Sequence, residues 1–360
     1  MESEIDVVKK IDCERAEELL DALGPRSEHF RDRHDPSRRY QQFIFRGHED
    51  DRFELVPTAL RIRNPRFKDV LIKSRHGSGT WGVVESEPAD KNKERFVEAH
   101  HPTIRVRHPL TQLWLNRDQI RSEMLMLIDF FQFADAGGLP LPEDSRSLRF
   151  SFEEWLISFS GMYRKDKANH GLRWPPPNLL SIIALAQHYG VPTRLLDWTR
   201  SAYIAAYFAA KGAVQSTNSD ATHLSVWAFN SQFYRVRRKL NSDQEKVKII
   251  TAPAAGNPNL HLQKGLFTIY QPESLHPGDP VDRKPLDRAI GPYGVVPLFF
   301  RFRLPLVQAN KLLQLLFLEG VSGASVYAGY KGAAEATTEH MYWDNWDRPG
   351  DIWQHFASVD

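Results

Sequence analysis

Apolar residues recur at helical spacing along several stretches of this chain. The clearest begins at Asn116, a good cap with Gln119 three positions on. It sets Ile120, Met124, Leu127, Ile128 and Phe131 on one face and ends at Gly137-Gly138. Cys13 to Leu23 reads as a short acidic helix stopped by Gly24-Pro25. Ser151-x-x-Glu154 has the form of a capping box opening a helix with Trp155, Ile157 and Phe159. Pro175-Pro176-Pro177 force an extended entry into a helix from Asn178 to Tyr189, whose buried face is Leu179, Ile182, Ile183 and Ala186. Ser201 to Lys211 carries a face of Ala202, Ala205, Ala206 and Ala209, small enough for close packing on a sheet, and Gln308 to Leu318 is a last helix ended by Gly320.

Strands are expected where side chains alternate or where β-branched and aromatic residues run together. Gln41 to Gly47, Leu224 to Phe229, Leu266 to Tyr270 and Val296 to Phe302 meet one or the other condition. Strands and helices do not alternate strictly after the middle of the chain. The expected class is therefore α+β, with a mixed, largely antiparallel sheet assembled from distant segments and flanked by helices. Residues 1–39 read as a helical and charged extension, 40–332 as one domain with a surface insertion at 74–110, and 333–360 as a tail.

Between the helices expected at Asn178 to Tyr189 and Ser201 to Lys211 lies a polar knot. Gln187, His188, Thr193, Arg194, Asp197 and Thr199 crowd around the turn Gly190-Val191-Pro192. An ordinary joint does not need two ionisable groups, an imidazole and an amide so close together. Burying them costs free energy unless each finds a partner, so the knot is a site or a hydrogen-bonded brace.

Composition narrows the setting. The chain has 360 residues, 41% hydrophobic and 26% charged, with a net charge of +2 that argues neither for nor against nucleic acid. A single cysteine, Cys13, precludes an internal disulfide and suits a reducing compartment. The acidic N-terminus lacks the order of a signal peptide and no apolar run is of membrane-spanning length, so a cytoplasmic protein without membrane contact is expected. The histidines show no metal-ligand spacing, and no metal is expected. The basic run Arg235 to Lys239 reads as a solvated face or a phosphate-backbone contact.

Phe45-Arg46-Gly47 and Gln187-His188-x-Gly190-x-Pro192-Thr193-Arg194-Leu195-Leu196-Asp197-Trp198-Thr199 together resemble the FRG domain. Leu55-x-Pro57-x-x-x-Arg61, Glu123, Ala205-x-Tyr207-Phe208-Ala209 and Gln263-x-Gly265-x-Phe267-Thr268 extend the likeness over roughly residues 40 to 330. Where the family usually carries an arginine, this chain has Asn257-x-Asn259. More distantly, a strand ending in aromatic-Arg-Gly, then a strand with a hydroxyl residue leading into an Ala-rich helix, is similar to ADP-ribosyltransferases of the arginine-serine-glutamate type.

That second resemblance implies an ADP-ribosyltransferase-like fold and NAD as substrate. Arg46 and Gly47 would receive the phosphates with Arg194, and Thr199 and His188 would contact the nicotinamide ribose. Asp197 or Gln263 would orient the ribose 2′-OH or the acceptor, since Gln263 stands where such enzymes carry a glutamate. The acceptor would be a protein or nucleic acid, and the role that of a toxin or antiphage effector held in check by an antitoxin or regulatory protein. From the residues themselves, an arginine beside a glycine at a strand end suits phosphate, the glycine letting ligand approach the backbone; its alternative is an arginine pinned to Asp197. Arg194 and Asp197 could equally pair with each other. Glu123, on an otherwise apolar helix, needs an arginine of the knot as partner and with Gln187 would support the site. The rival readings are a nucleic-acid binder or nuclease and a non-catalytic ligand sensor. If the knot is a site, Arg46, His188, Arg194 and Asp197 converge on one pocket.

Overall fold

The computed structural model describes residues 7–30, 42–61, 116–152, 174–217, 220–232, 234, 246–251, 257–272, 275–276, 279–290 and 297–343, with two-residue strands at 83–84 and 104–105. Apart from those short strands, the expected insertion lies outside the described residues. So do the basic run at 235–239 and the expected helical residues Trp155, Ile157 and Phe159.

Seven strands make the main sheet: β1 (Val8–Asp12), β2 (Phe43–His48), β3 (Leu195–Thr199), β4 (His223–Asn230), β5 (Val247–Ile250), β6 (Gly265–Tyr270) and β7 (Phe299–Pro305), in the order β1-β7-β4-β2-β3-β6-β5. β1 and β7 run parallel; every other neighbouring pair is antiparallel. The class is α+β, as the alternating and helical patterns together require.

Helices cover one face in two groups. Under β1, β7, β4 and β2 lie α1 (Ala16–Leu23), the Ala-rich α4 (Ala202–Gln215) and α7 (Ala309–Leu318), packed around Phe43, Phe45, Val226, Phe300 and Phe302. Under β3, β6 and β5 lie α2 (Asn116–Ala136) and α3 (Leu180–His188), packed around Leu195, Phe267 and Ile269. The expected stripe of α2, from Ile120 to Phe131, is buried throughout. The opposite sheet face has its own cluster, including Ile44, Leu196, Trp198, Trp227 and Phe229.

The seam between the two helical groups falls at β2 and β3. β2 pairs with β4 along its whole length, from Phe43 opposite Asn230 to His48 opposite Ser225. With β3 it pairs only at Phe45 opposite Thr199, and beyond that point the two strands part. Gly47 sits there for a packing reason. A Cβ on it would stand 2.0 Å from the Ala205 carbonyl oxygen and 2.8 Å from the Ala209 amide, both backbone atoms of α4. Close approach of a helix is therefore what requires glycine here. Gly47→Ala is expected to lower stability by about 1–3 kcal/mol through overpacking, read by urea unfolding. An unchanged midpoint would show that α4 can move aside.

Several boundaries differ from the sequence reading. The N-terminal extension supplies an edge strand and a core helix, not a separate piece. The tail, placed from 333, cuts through a helix: α8 (Gly323–Val326) and α9 (Gly329–His340) follow α7. Two further short helices, α5 (Pro258–Leu262) and α6 (Leu286–Ile290), were not expected. α9 is tied to α4 by buried ionisable groups. Tyr207 donates its hydroxyl to Glu339, whose other oxygen accepts from the Gly323 amide at 3.0 Å. Lys211 pairs with Glu335 at 2.5 Å. Ser151 caps nothing: it lies within a helical stretch at 146–152, whose Leu148 amide donates to Ser145 Oγ at 3.1 Å. Its own hydroxyl bonds back to the Ser147 carbonyl at 2.9 Å.

Candidate functional site

Where β2 and β3 part, a cleft of about 360 Å³ opens between α4 and α3. Its lining brings together Arg46, Gly47, Gln187, His188, Asp197, Thr199 and Gln263, which lie far apart in the sequence.

The α3 side is built first. Gly190, at φ +86°, closes the helix: its amide donates to the Gln187 carbonyl and that of Val191 to the Ala186 carbonyl, both at 2.9 Å. This Schellman pairing needs the left-handed conformation that glycine tolerates. The chain then turns back so that Thr193 Oγ1 donates to Gln187 Oε1 at 2.8 Å and accepts the Leu195 amide at 3.1 Å. With its oxygen engaged, the Gln187 amide must turn its nitrogen to Asp197, reaching Oδ1 at 3.2 Å and Oδ2 at 3.0 Å. The carboxylate is thereby aimed across the seam.

Arg46 meets it from β2. Where the β2–β3 pairing stops, Nη1 donates to the Asp197 carbonyl at 2.8 Å and approaches Oδ2 at 3.4 Å. Nε donates to His48 Nε2 at 2.9 Å, while His48 Nδ1 faces the Phe53 carbonyl at 3.1 Å. An arginine can only donate and a carbonyl can only accept. His48 is thus a neutral Nδ1–H tautomer, and burial, then the charges of Arg46 and Arg61, hold its pKa well below the usual histidine range. Sequence reasoning overlooked His48, although its place two residues after Arg46 on a strand put both on one face. Arg46 Nη2 has no hydrogen bond among the described residues and belongs to a side chain lining the cleft. The arginine is oriented at one end and open at the other. Because the unfolded chain binds the His48 proton more readily, stability falls as pH drops below about 6.5. His48→Asn is expected to flatten that slope in urea unfolding followed across pH; a slope unchanged by the substitution would remove His48 as its source.

The remaining groups divide. His188 is half-buried beside Asp197 and Lys331, and burial chiefly lowers its pKa, which keeps the imidazole neutral at neutral pH. The Thr199 hydroxyl donates to the Gln263 carbonyl at 2.7 Å and accepts the Ser201 amide at 3.0 Å, so it braces the junction into α4. Gln263 caps the end of α5. Asn257 and Asn259 also hold backbone: Asn257 accepts the Leu260 amide at 3.2 Å, and Asn259 accepts the Ala328 amide at 2.8 Å. That last bond ties Tyr327 and Lys331, neither expected from sequence, to the rim.

Arg194 is not in the cleft. Its Nε bonds Glu123 at 2.9 and 2.8 Å, and Trp174 Nε1 and Gln119 Nε2 donate to the same carboxylate at 2.6 and 2.7 Å. The expected partner for Glu123 is found, whereas the convergence of Arg194 with Arg46 and the pairing of Arg194 with Asp197 are not. Arg194 sits in the bend before β3, whereas Asp197 lies within the strand. The two Arg–carboxylate pairs also differ in kind. Arg194 and Glu123 are 7% and 6% exposed, whereas the Asp197 side chain is 52% exposed. A solvated pair at 3.4 Å contributes about 0–1 kcal/mol and yields readily to a ligand. Among the described residues, no group of His, Cys, Asp and Glu is placed to hold a metal, and no helix is long and apolar enough to cross a membrane.

Residues 145–218 match the family model of the FRG domain. The chain carries an FRG domain. The matched span of the FRG domain holds α3, β3 and α4, and with them Gln187, His188, Asp197 and Thr199, whereas Arg46, Glu123 and Gln263 lie outside it. No curated protein and no solved structure matches the chain.

Proposed function

We propose that the cleft binds NAD as substrate and that the protein transfers ADP-ribose to a macromolecular acceptor, a protein or a nucleic acid. The observation that carries this reading is Arg46: a guanidinium oriented by His48 and by the Asp197 carbonyl, with Nη2 open to the cleft. Such a fork suits the paired oxygens of a pyrophosphate.

In the transfer, the bond between nicotinamide and ribose C1′ breaks and its electron pair leaves on nicotinamide. The acceptor bonds to C1′ and gives up a proton. Positive charge develops on the ribose in between, and Asp197 is the carboxylate among the lining residues that can oppose it. Gln187 holds that carboxylate in place. His188, neutral beside Asp197, is placed to take the acceptor proton. Gln263, at the far rim, offers hydrogen bonds without charge.

Incubating the protein with NAD labelled in its adenylate phosphate, together with cell lysate, tests the reading. Label is expected on protein or nucleic acid, falling about a hundredfold or more in Asp197→Asn at unchanged thermal stability. Salt-sensitive nucleic-acid binding without NAD turnover would favour the binder instead. Absence of both NAD binding and NAD turnover would reject the proposal.

A further inference from the structure

Arg194 is not fully accounted for by Glu123. Its Nη2 is buried with no hydrogen-bond partner among the described residues. The side chain, 7% exposed, lines a second cavity of about 40 Å³ that it shares with Leu196 and Thr268, on the side of β3 away from Asp197. Asn116 lines the same cavity, and its Oδ1 is likewise buried without a partner. The amide cannot exchange its ends, because Nδ2 donates to the His276 carbonyl at 3.1 Å. An unmet donor and an unmet acceptor therefore belong to two side chains that line one small space; Arg194 also borders a smaller cavity of about 20 Å³ beside Glu123 and Trp174.

The local charge is positive. Arg283 also has an unpartnered buried Nε, and its pKa is lowered by burial first and then by the charge of Arg194. Lys284 and Asp282, at the same cavity, pair with each other at 3.9 Å. Glu123 balances one guanidinium and leaves the other without a carboxylate of its own in this set.

We infer that this cavity is a site for a small protonated oxyanion of the hydrogen-phosphate class. Arg194 Nη2 donates to one oxygen, and the P–OH donates to Asn116 Oδ1. A single water needs roughly 10–15 Å³ by this measure, so the space suits a group of a few heavy atoms and excludes a nucleotide. Sulfate is the discriminating comparison. It carries no proton at neutral pH, so one of its oxygens would meet Asn116 Oδ1 acceptor to acceptor. The site lies apart from the cleft and does not depend on what the cleft binds.

Isothermal titration of the full chain with inorganic phosphate, and separately with sulfate, tests this, using wild type, Asn116→Ala, Arg194→Lys and Arg46→Ala. Wild type is expected to bind phosphate about tenfold or more tightly than sulfate, the difference one hydrogen bond makes. Asn116→Ala brings the two ions close to equal affinity. Arg194→Lys weakens phosphate by a further factor of about ten. Arg46→Ala retains the site. Should Arg194→Lys fail to fold, Asn116→Ala, which leaves the Glu123 pair intact, decides alone. The inference is overturned if folded wild type binds no phosphate, if phosphate and sulfate bind equally, or if Arg46→Ala abolishes binding and so places the ion in the cleft.

Discussion

Glu123→Ala is expected to lower stability by about 3–5 kcal/mol, the cost of leaving a buried charge without its partner. Glu123 sits in the middle of α2, 7% exposed, and both its oxygens are engaged by Arg194, with Trp174 and Gln119 completing the set. Truncation takes this acceptor from the Arg194 guanidinium, the Trp174 indole and Gln119, of which Gln119 keeps its bond to the Ala59 carbonyl. Glu123→Gln should cost less, since the amide oxygen still accepts one or two of these bonds while the charge is lost. Asp197→Ala gives the contrast: its pairing is half in solvent, and a change within about 1 kcal/mol is expected. Urea unfolding of the three variants decides it. Equal losses for Glu123→Ala and Asp197→Ala would mean that burial does not separate the two arginine pairs.

This contrast is also where the sequence stopped being legible. Arg194 and Asp197 read as neighbours of one knot, and nothing in residue types alone says that one faces α2 and the other faces β2. Strand alternation does not say so either, because Arg194 precedes the strand Leu195–Thr199 and α2 packs on the Leu195 face that Asp197 shares. Glu123 was legible because a carboxylate in an apolar helical stripe must find a cation. His48 was legible in principle from its spacing to Arg46. The sheet edges were not: β1 contains Lys9 and Lys10, β5 contains Lys248, and an edge strand exposes one side and tolerates charge, so the alternating signal is lost. β1 also pairs with β7 from the other end of the chain, Val8 opposite Phe299, which no local pattern encodes. Ser151 shows the opposite failure, a capping pattern with the right spacing, while Ser145 six residues earlier makes the cap. Helix α9 opens with Gly329 and Gly332 and docks through Lys211–Glu335 and Tyr207–Glu339, so its apolar period is weak although its anchoring is strong. Gly332 itself lies against the Tyr327 carbonyl, where a Cβ would stand at 2.2 Å.

Arg46→Ala is expected to reduce NAD binding about a hundredfold or more while leaving the chain folded. A fork making two charge-assisted hydrogen bonds to a pyrophosphate loses about 1.5–3 kcal/mol for each when removed, and each 1.4 kcal/mol is tenfold in affinity. The stability change should be small for three reasons. The contact with Asp197 is a solvated one, His48 keeps its bond to the Phe53 carbonyl, and the packing of Gly47 on α4 does not involve the arginine. Arg46→Lys should recover only part of the affinity, because an ammonium cannot donate to His48 and to two phosphate oxygens in one plane. Calorimetric titration with NAD beside thermal unfolding separates the outcomes. Undiminished NAD binding by folded Arg46→Ala would remove the arginine from the ligand site. Unfolding of that variant at ordinary temperature would make Arg46 a clasp between β2 and β3, holding shut the seam that the proposal reads as a binding cleft.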